Sequence, residues 1–232
     1  MQTWENLLFM HWPISPDLLR PLVPDSLEID LYDDTAWISL VALTVQDASP
    51  ALGIPLPWLS FFHQVNIRTY VQHDGVAGIW LLSTDVDSQL MVAVARRVFH
   101  LPYFLASCHD THLAGTHSWE VIRRRACPPA ELSLACRQGE PLGGTEPGTV
   151  EFFLLDRYAV YAAEGARLFR ARIHHKPWTI WRGTIKKYRS NMIEVLGIPA
   201  PEGEALAHFA RSMPQVRVWP MEELKVNLPE AL

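Results

Sequence analysis

The segment at residues 65–71 constrains the fold most, because its side chains alternate strictly between two kinds. As a β-strand it would present only β-branched residues on one face and Asn66, Arg68 and Tyr70 on the other. One face must meet an apolar layer. The polar face then lines either an internal cavity or the solvent-exposed side of a two-layer sheet, and the segment alone does not decide between them.

The rest of the chain contains further β-type runs separated by turn residues, and few helical patterns. Strands are predicted at 35–45, 78–84, 103–110, 118–125, 131–137, 158–163, 168–174 and 216–219. Helices are predicted at 4–10, 90–98 and 181–196, and a short helix or turn at 150–157. Because strands and helices do not alternate, we predict an α+β fold: a mainly antiparallel, barrel-like β-sheet with peripheral helices, formed as a single domain over residues 1–232. The loop at 48–58 contains three prolines and is a candidate lid.

Charge and composition exclude several classes of partner. The net charge of −5 and the pI near 6.0 argue against nucleic acid, and the arginines at 123–125 would alternate faces on a strand. No apolar run approaches the ~20 residues of a membrane span, and no leader pattern opens the chain, so we expect no membrane partner and a cytoplasmic location. A small-molecule ligand is the expected partner. The sequence leaves open whether the protein forms a homo-oligomer.

Cofactor and metal motifs are absent from the sequence. Glycine-rich nucleotide loops, zinc-protease and serine-hydrolase patterns are not found, so no cofactor is expected. The cluster Cys108, His109, His112 and His117 carries zinc-type ligands, but its spacing matches no compact zinc site. We therefore predict a β-hairpin that carries these side chains without binding a metal.

Several stretches together resemble the YqjF-like bacterial family of unknown function, which is grouped with the acetoacetate decarboxylase-like superfamily. The stretches, spread over nearly the whole chain, are 4–9, 11–13, 65–71, 99–103, 157–158, 175 and 177–178. The resemblance implies a β-rich barrel or cone around a cavity. It favours an inward-facing position for Arg68.

The decarboxylases of that superfamily form a Schiff base through a lysine. The pKa of this lysine is lowered by desolvation and by a second, adjacent lysine. By resemblance, that lysine pair would fall on Tyr103 and Phe104. Neither side chain forms an imine. The only adjacent lysines, Lys186 and Lys187, lie in a charged segment where solvated side chains are expected. We therefore predict that the Schiff-base mechanism is absent.

The candidate site residues follow from the alternating strand and the resemblance. Arg68 is the candidate carboxylate clamp, with Asn66 and Tyr70 beside it. His100 and Tyr103 are candidate proton-transfer residues, although a histidine just past a helix commonly stabilises the helix end instead. With Arg96 and His175 added, the substrate-binding set is Asn66, Arg68, Tyr70, Arg96 and His175.

The sequence leaves two functional classes open. One is a cofactor-independent enzyme that acts by acid–base chemistry on a small carboxylate- or carbonyl-bearing metabolite. The other is a non-catalytic small-molecule-binding or structural protein. An enzyme would turn such a compound over, whereas a binding protein would only gain thermal stability from it.

Overall fold

The structure, a computed structural model, describes residues 1–48, 61–123, 125 and 129–225. The predicted lid at 48–58 lies outside the described residues apart from Ala48, and so do Arg124 and Cys127.

The described residues form fourteen strands, three α-helices and two 3-10 turns. The strands are β1 (Gln2–Ile14), β2 (Glu28–Ile29), β3 (Ala36–Gln46), β4 (Phe61–His73), β5 (Val76–Val86), β6 (Tyr103–Leu105), β7 (Ser107–Leu113), β8 (Thr116–Arg123), β9 (Ala130–Gly144), β10 (Ala159–Glu164), β11 (Arg167–His174), β12 (Thr179–Ser190), β13 (Leu206–Val218) and β14 (Glu222–Leu224). The helices are α1 (Pro16–Leu19), α2 (Gln89–Val98) and α3 (Val150–Leu155), and the 3-10 turns are Arg20–Leu22 and Glu194–Leu196. None of these helices is long and apolar enough to cross a bilayer.

All the strands join one mixed sheet that curls back on itself. Its main order is β14-β11-β10-β5-β4-β3-β1-β13-β12-β9-β8-β7, and β11 additionally pairs with β13. Most neighbours are antiparallel, while β5 pairs in parallel with both β6 and β10. This architecture confirms the predicted α+β class with mainly antiparallel strands and few helices.

Both faces of the curled sheet are covered by apolar side chains. Leu7, Phe9 and Tyr70 belong to an inner cluster, whereas Val65 and Ile67 belong to an outer cluster. The two faces predicted for β4 are therefore both buried. The polar face of this strand, which carries Asn66 and Arg68, points to the inner side rather than to solvent.

The predicted helix at 4–10 is wrong, because this segment is part of β1. Leu8 pairs with Ala42 of β3 on one side and with Phe209 of β13 on the other, so β1 is a central strand. The apolar run at 7–10 is buried on both faces, and such a run shows no period that separates a strand from a helix.

The predicted helix at 181–196 is also wrong. The chain continues as β12, whose Ile185 pairs with Cys136 of β9, and only a 3-10 turn follows at Glu194–Leu196. The helix predicted at 90–98 is confirmed as α2, and the segment at 150–157, predicted as a short helix or turn, contains the helix α3. Ser88 caps α2 by accepting a hydrogen bond from the Met91 amide at 3.3 Å.

Candidate functional site

A pocket of about 200 Å³ lies on the inner side of the sheet, and we call it the central pocket. Alternate residues of β4 form part of the pocket wall, because successive side chains of a strand point to opposite faces. Most of its lining is apolar. Its polar lining residues are Gln2, Gln64, Asn66, Arg68, Tyr103, Arg157 and His175.

Arg68 brings a buried positive charge to the central pocket. The residue is only 9% exposed, and its Nη2 donates a hydrogen bond to the Leu154 carbonyl oxygen at 3.0 Å. Its guanidinium lies 5.8 Å from the centroid of the Phe9 ring and 5.7 Å from that of Tyr70. Nε has no hydrogen-bond partner, and no carboxylate among the described residues pairs with the side chain. A buried charge without a counter-ion is costly, so this group favours an anionic ligand.

Arg157 also lines the central pocket, but its charge is balanced. Its Nη1 donates to Oδ2 of Asp30, and its Nε donates to the Phe153 carbonyl oxygen. The adjacent Asp156 is not its counter-ion and instead accepts a hydrogen bond from Tyr158 at 2.9 Å. With Arg157 compensated by Asp30, Arg68 supplies the unbalanced positive charge of the pocket.

Asn66 lies two residues from Arg68 on the same face of β4. It is 4% exposed, and its Oδ1 is buried without a partner. Leaving such an acceptor unpaired costs about 1–3 kcal/mol.

Tyr103 and His175 add two uncharged polar groups. The Tyr103 hydroxyl donates to Oε1 of Gln64 at 3.3 Å, and burial raises the pKa of this phenol to about 12. His175 has its Nδ1 2.8 Å from the Lys176 carbonyl oxygen, and burial lowers the pKa of the imidazole. At neutral pH the phenol is therefore protonated and the imidazole is neutral.

The other predicted site residues do not line the central pocket. His100 stacks on Phe169 with ring centroids 4.8 Å apart, and its Nδ1 is 3.3 Å from Oε1 of Glu164. Exposed Arg96 donates through Nε to the Tyr103 carbonyl oxygen at 2.6 Å. Tyr70 contacts Arg68 through its ring but directs its hydroxyl away. The structure thus brings together Asn66, Arg68, Tyr103 and His175.

Behind Tyr70 lies a buried polar network that the sequence reasoning did not identify. The Ser39 hydroxyl is 2.7 Å from the Tyr70 hydroxyl and 2.6 Å from Nδ1 of His11. The His11 ring is 5.6 Å from that of His208, and burial lowers the pKa of both imidazoles, that of His208 to about 4. Only the stretch at 11–13 in the family resemblance pointed to this region.

The lysines and the Cys/His cluster lie away from the central pocket. The four lysines of the sequence, all in described positions, are exposed, and none lines the pocket. In the part of the chain that the structure describes, no group of three or more His, Cys, Asp and Glu residues is arranged to hold a metal ion. His112 and His117 stack with ring centroids 3.9 Å apart.

The fold is similar to that of acetoacetate decarboxylase-like proteins, as expected. The enduracididine biosynthesis enzyme MppR complexed with pyruvate matches 97% of this chain and 90% of its own, with a TM-score of 0.68 and 14% identity. Acetoacetate decarboxylase from Legionella pneumophila matches 98% of this chain and 88% of its own, with a TM-score of 0.65 and 14% identity. At these identities the likeness concerns the fold alone.

The chain belongs to the DUF2071 family of uncharacterized conserved proteins, which matches residues 1–214. It is also 32% identical over 222 residues to the uncharacterized protein YqjF of Bacillus subtilis (strain 168), covering 96% of this chain and 91% of that protein. The predicted membership of a YqjF-like family is confirmed.

Proposed function

We propose that the central pocket binds a small organic carboxylate and that Arg68 is its anion-binding group. The observation that carries the proposal is a guanidinium buried at the pocket without a carboxylate partner among the described residues. Its planar fork of donors suits a carboxylate, and its Nη1 makes no hydrogen bond to the described residues. The ligand would supply the missing negative charge.

The neighbouring groups suit a ligand that carries an oxygen function near its carboxylate. The Tyr103 hydroxyl has a single hydrogen, which it would turn from Gln64 to a carbonyl or hydroxyl oxygen of the ligand, and Asn66 would orient a polar group of the ligand. Neutral His175 would accept a proton or a hydrogen bond. The pyruvate bound by MppR supports the class of ligand, since that protein shares the fold.

Any reaction in this pocket would proceed without an imine. None of the four lysines lines the pocket, so we expect an enzyme here to use acid–base chemistry involving Tyr103 and His175. The rival function is binding alone. It is favoured by the pKa of Tyr103, which at about 12 lies far from the value near neutrality that general acid–base catalysis prefers.

The test is the affinity of the purified protein for pyruvate, measured by calorimetry, in the wild type and in Arg68→Met. A hydrogen bond to a charged group contributes about 1.5–3 kcal/mol, so we expect binding to weaken roughly 10- to 100-fold. Arg189→Met is the matched control, because Arg189 is 80% exposed. Thermal unfolding of both variants reports whether they fold.

Equal pyruvate affinity in the wild type and in folded Arg68→Met would contradict the proposal. Turnover is followed separately by NMR of the same mixtures. A changed spectrum of the acid that requires Tyr103 or His175 would favour the enzyme, whereas thermal stabilisation without any product would favour the binding protein.

A further inference from the structure

We infer that the ligand of the central pocket is an amphipathic monocarboxylate with an aliphatic tail, rather than a compact polar acid. The inference rests on the proposed anion-binding role of Arg68 and adds the chemical class of the rest of the molecule. It comes from the distribution of polar and apolar side chains along the pocket.

The polarity of the pocket changes along β4. Arg68, Asn66, Gln64 and Phe62 are successive inward-facing residues of this strand, and all of them line the pocket. At about 3.3 Å per residue, Arg68 and Phe62 are separated by about 20 Å along the strand. The wall therefore passes from a cation through two amides to an aromatic ring.

The neighbouring strand β3 follows the same gradient. Ser39 pairs with Arg68, whereas Val41, Leu43 and Val45 pair with Asn66, Gln64 and Phe62, respectively. These three apolar residues line the pocket, and Ser39 does not. Beyond the level of Asn66, the β3 side of the wall is entirely aliphatic.

The end of the pocket farthest from Arg68 is lined by further apolar groups and by the uncharged amide of Gln2. Trp4 of β1 pairs with Val45, and both line the pocket. Helix α2 begins just after β5, whose Val86 pairs with Gln64, and it contributes Met91 and Ala95. Methionine adapts its shape to aliphatic partners, which suits a tail of variable length.

A compact polar acid would use only the Arg68 end of this pocket. A second charge on the ligand would meet the apolar half, where the described lining offers no cation to balance it. An alkyl tail instead replaces water against Val45, Phe62 and Met91. Each methylene buried in this way should raise affinity about fourfold.

The test is calorimetric titration of the full chain with straight-chain carboxylates from acetate to decanoate, with 1-octanol as the uncharged reference. We expect affinity to rise about fourfold per methylene, on the order of 200-fold from butyrate to octanoate. Arg68→Met should weaken every acid and leave 1-octanol unchanged. Met91→Trp, with Met91→Phe as a milder second variant, should lower the octanoate-to-butyrate affinity ratio at least tenfold.

The possible failures are distinguishable. If affinity depends on Arg68 but not on chain length, the inference is overturned and the proposed anion site stands. If affinity rises with chain length but 1-octanol binds as well as octanoate and Arg68→Met changes nothing, the proposed function fails, and the carboxylate class fails with it. If the affinity ratio is unchanged in both Met91 variants, the tail does not occupy the end of the pocket next to α2, and the inference is overturned.

Discussion

Replacing Arg123 with methionine should destabilise this protein more than most single substitutions. Nε and Nη2 of Arg123 on β8 donate to the two carboxylate oxygens of Asp85 on β5, each at 2.6 Å. The side chains are 7% and 1% exposed, and the guanidinium lies 4.0 Å from the centroid of the Phe104 ring. This ion pair connects the β7–β8 hairpin to the strands that form the pocket.

The magnitude follows from the burial of the pair. Removing one member of a buried ion pair leaves the other uncompensated and costs about 3–5 kcal/mol, a large part of the roughly 5–15 kcal/mol by which a domain is usually stable. The pKa of Asp85 is already raised by its burial, against the opposing effect of Arg123. Without Arg123 it should rise further.

The sign of the pH dependence follows from that direction. A carboxyl group whose pKa is higher in the folded state binds more protons folded than unfolded, so folding is favoured as the pH falls toward its ordinary value of 3.8. Relative to the wild type, Arg123→Met should therefore be least stable at neutral pH. Part of its stability should return near pH 4.

The assay is urea unfolding followed by tryptophan fluorescence at pH 7 and at pH 4. The double variant Asp85→Leu/Arg123→Met removes both charges, and its free energy of unfolding should lie within about 2 kcal/mol of that of the wild type. Arg189→Met, a surface substitution, should change the free energy of unfolding by less than about 0.5 kcal/mol. A loss below about 1 kcal/mol for Arg123→Met at pH 7, or a pH dependence equal to that of the wild type, would refute the reasoning.

Three further predictions concern other elements. Burial lowers the pKa of His208 from 6.5 to about 4, so protonation of this imidazole favours the unfolded state between these pH values. The wild type should therefore lose up to about 3 kcal/mol of stability as the pH falls through this range, and His208→Gln should not show this loss. An equal pH dependence of stability in the two proteins would contradict the prediction. Ser88→Ala removes the cap that accepts from the Met91 amide and should cost about 1 kcal/mol in urea unfolding, whereas an unchanged midpoint would show that the cap contributes nothing. Borohydride reduction in the presence of acetoacetate should give no adduct by intact mass, and a stable adduct on Lys186 or Lys187 would overturn the prediction.

The sequence predicted elements best where one face differs from the other. The alternation at 65–71 predicted β4 and placed Asn66 and Arg68 on one face, which is where the structure has them. Alternation did not reveal β1, because the run at 7–10 is apolar throughout and buried on both faces. Such a run has no hydrophobic period that separates a strand from a helix. A central strand with two covered faces is not revealed by alternation.

Without the family resemblance, which added Tyr103 and His175, the candidate site was predictable only where neighbours in sequence are also neighbours in space. Asn66 and Arg68 share a strand, but the importance of Arg68 depends on what does not pair with it, and that requires the whole sheet. Arg157 finds its counter-ion in Asp30, far away along the chain. Asp156, its neighbour in sequence, bonds to Tyr158 instead, so adjacency in sequence does not identify the counter-ion.

The pairing of β1 with β13 makes completion of the pocket a late event in the synthesis of the chain. Leu7 pairs with Ala210, so one edge of β1 lacks its partner until about 200 further residues have been synthesised. Pocket residues such as Trp178 and Val218 also come late. Contacts between distant residues slow folding, and unpaired strand edges favour aggregation in the meantime. A ribosome stalled before residue 206 would therefore hold a chain with an open β1 edge and an unfinished pocket, a form that chaperones would have to protect.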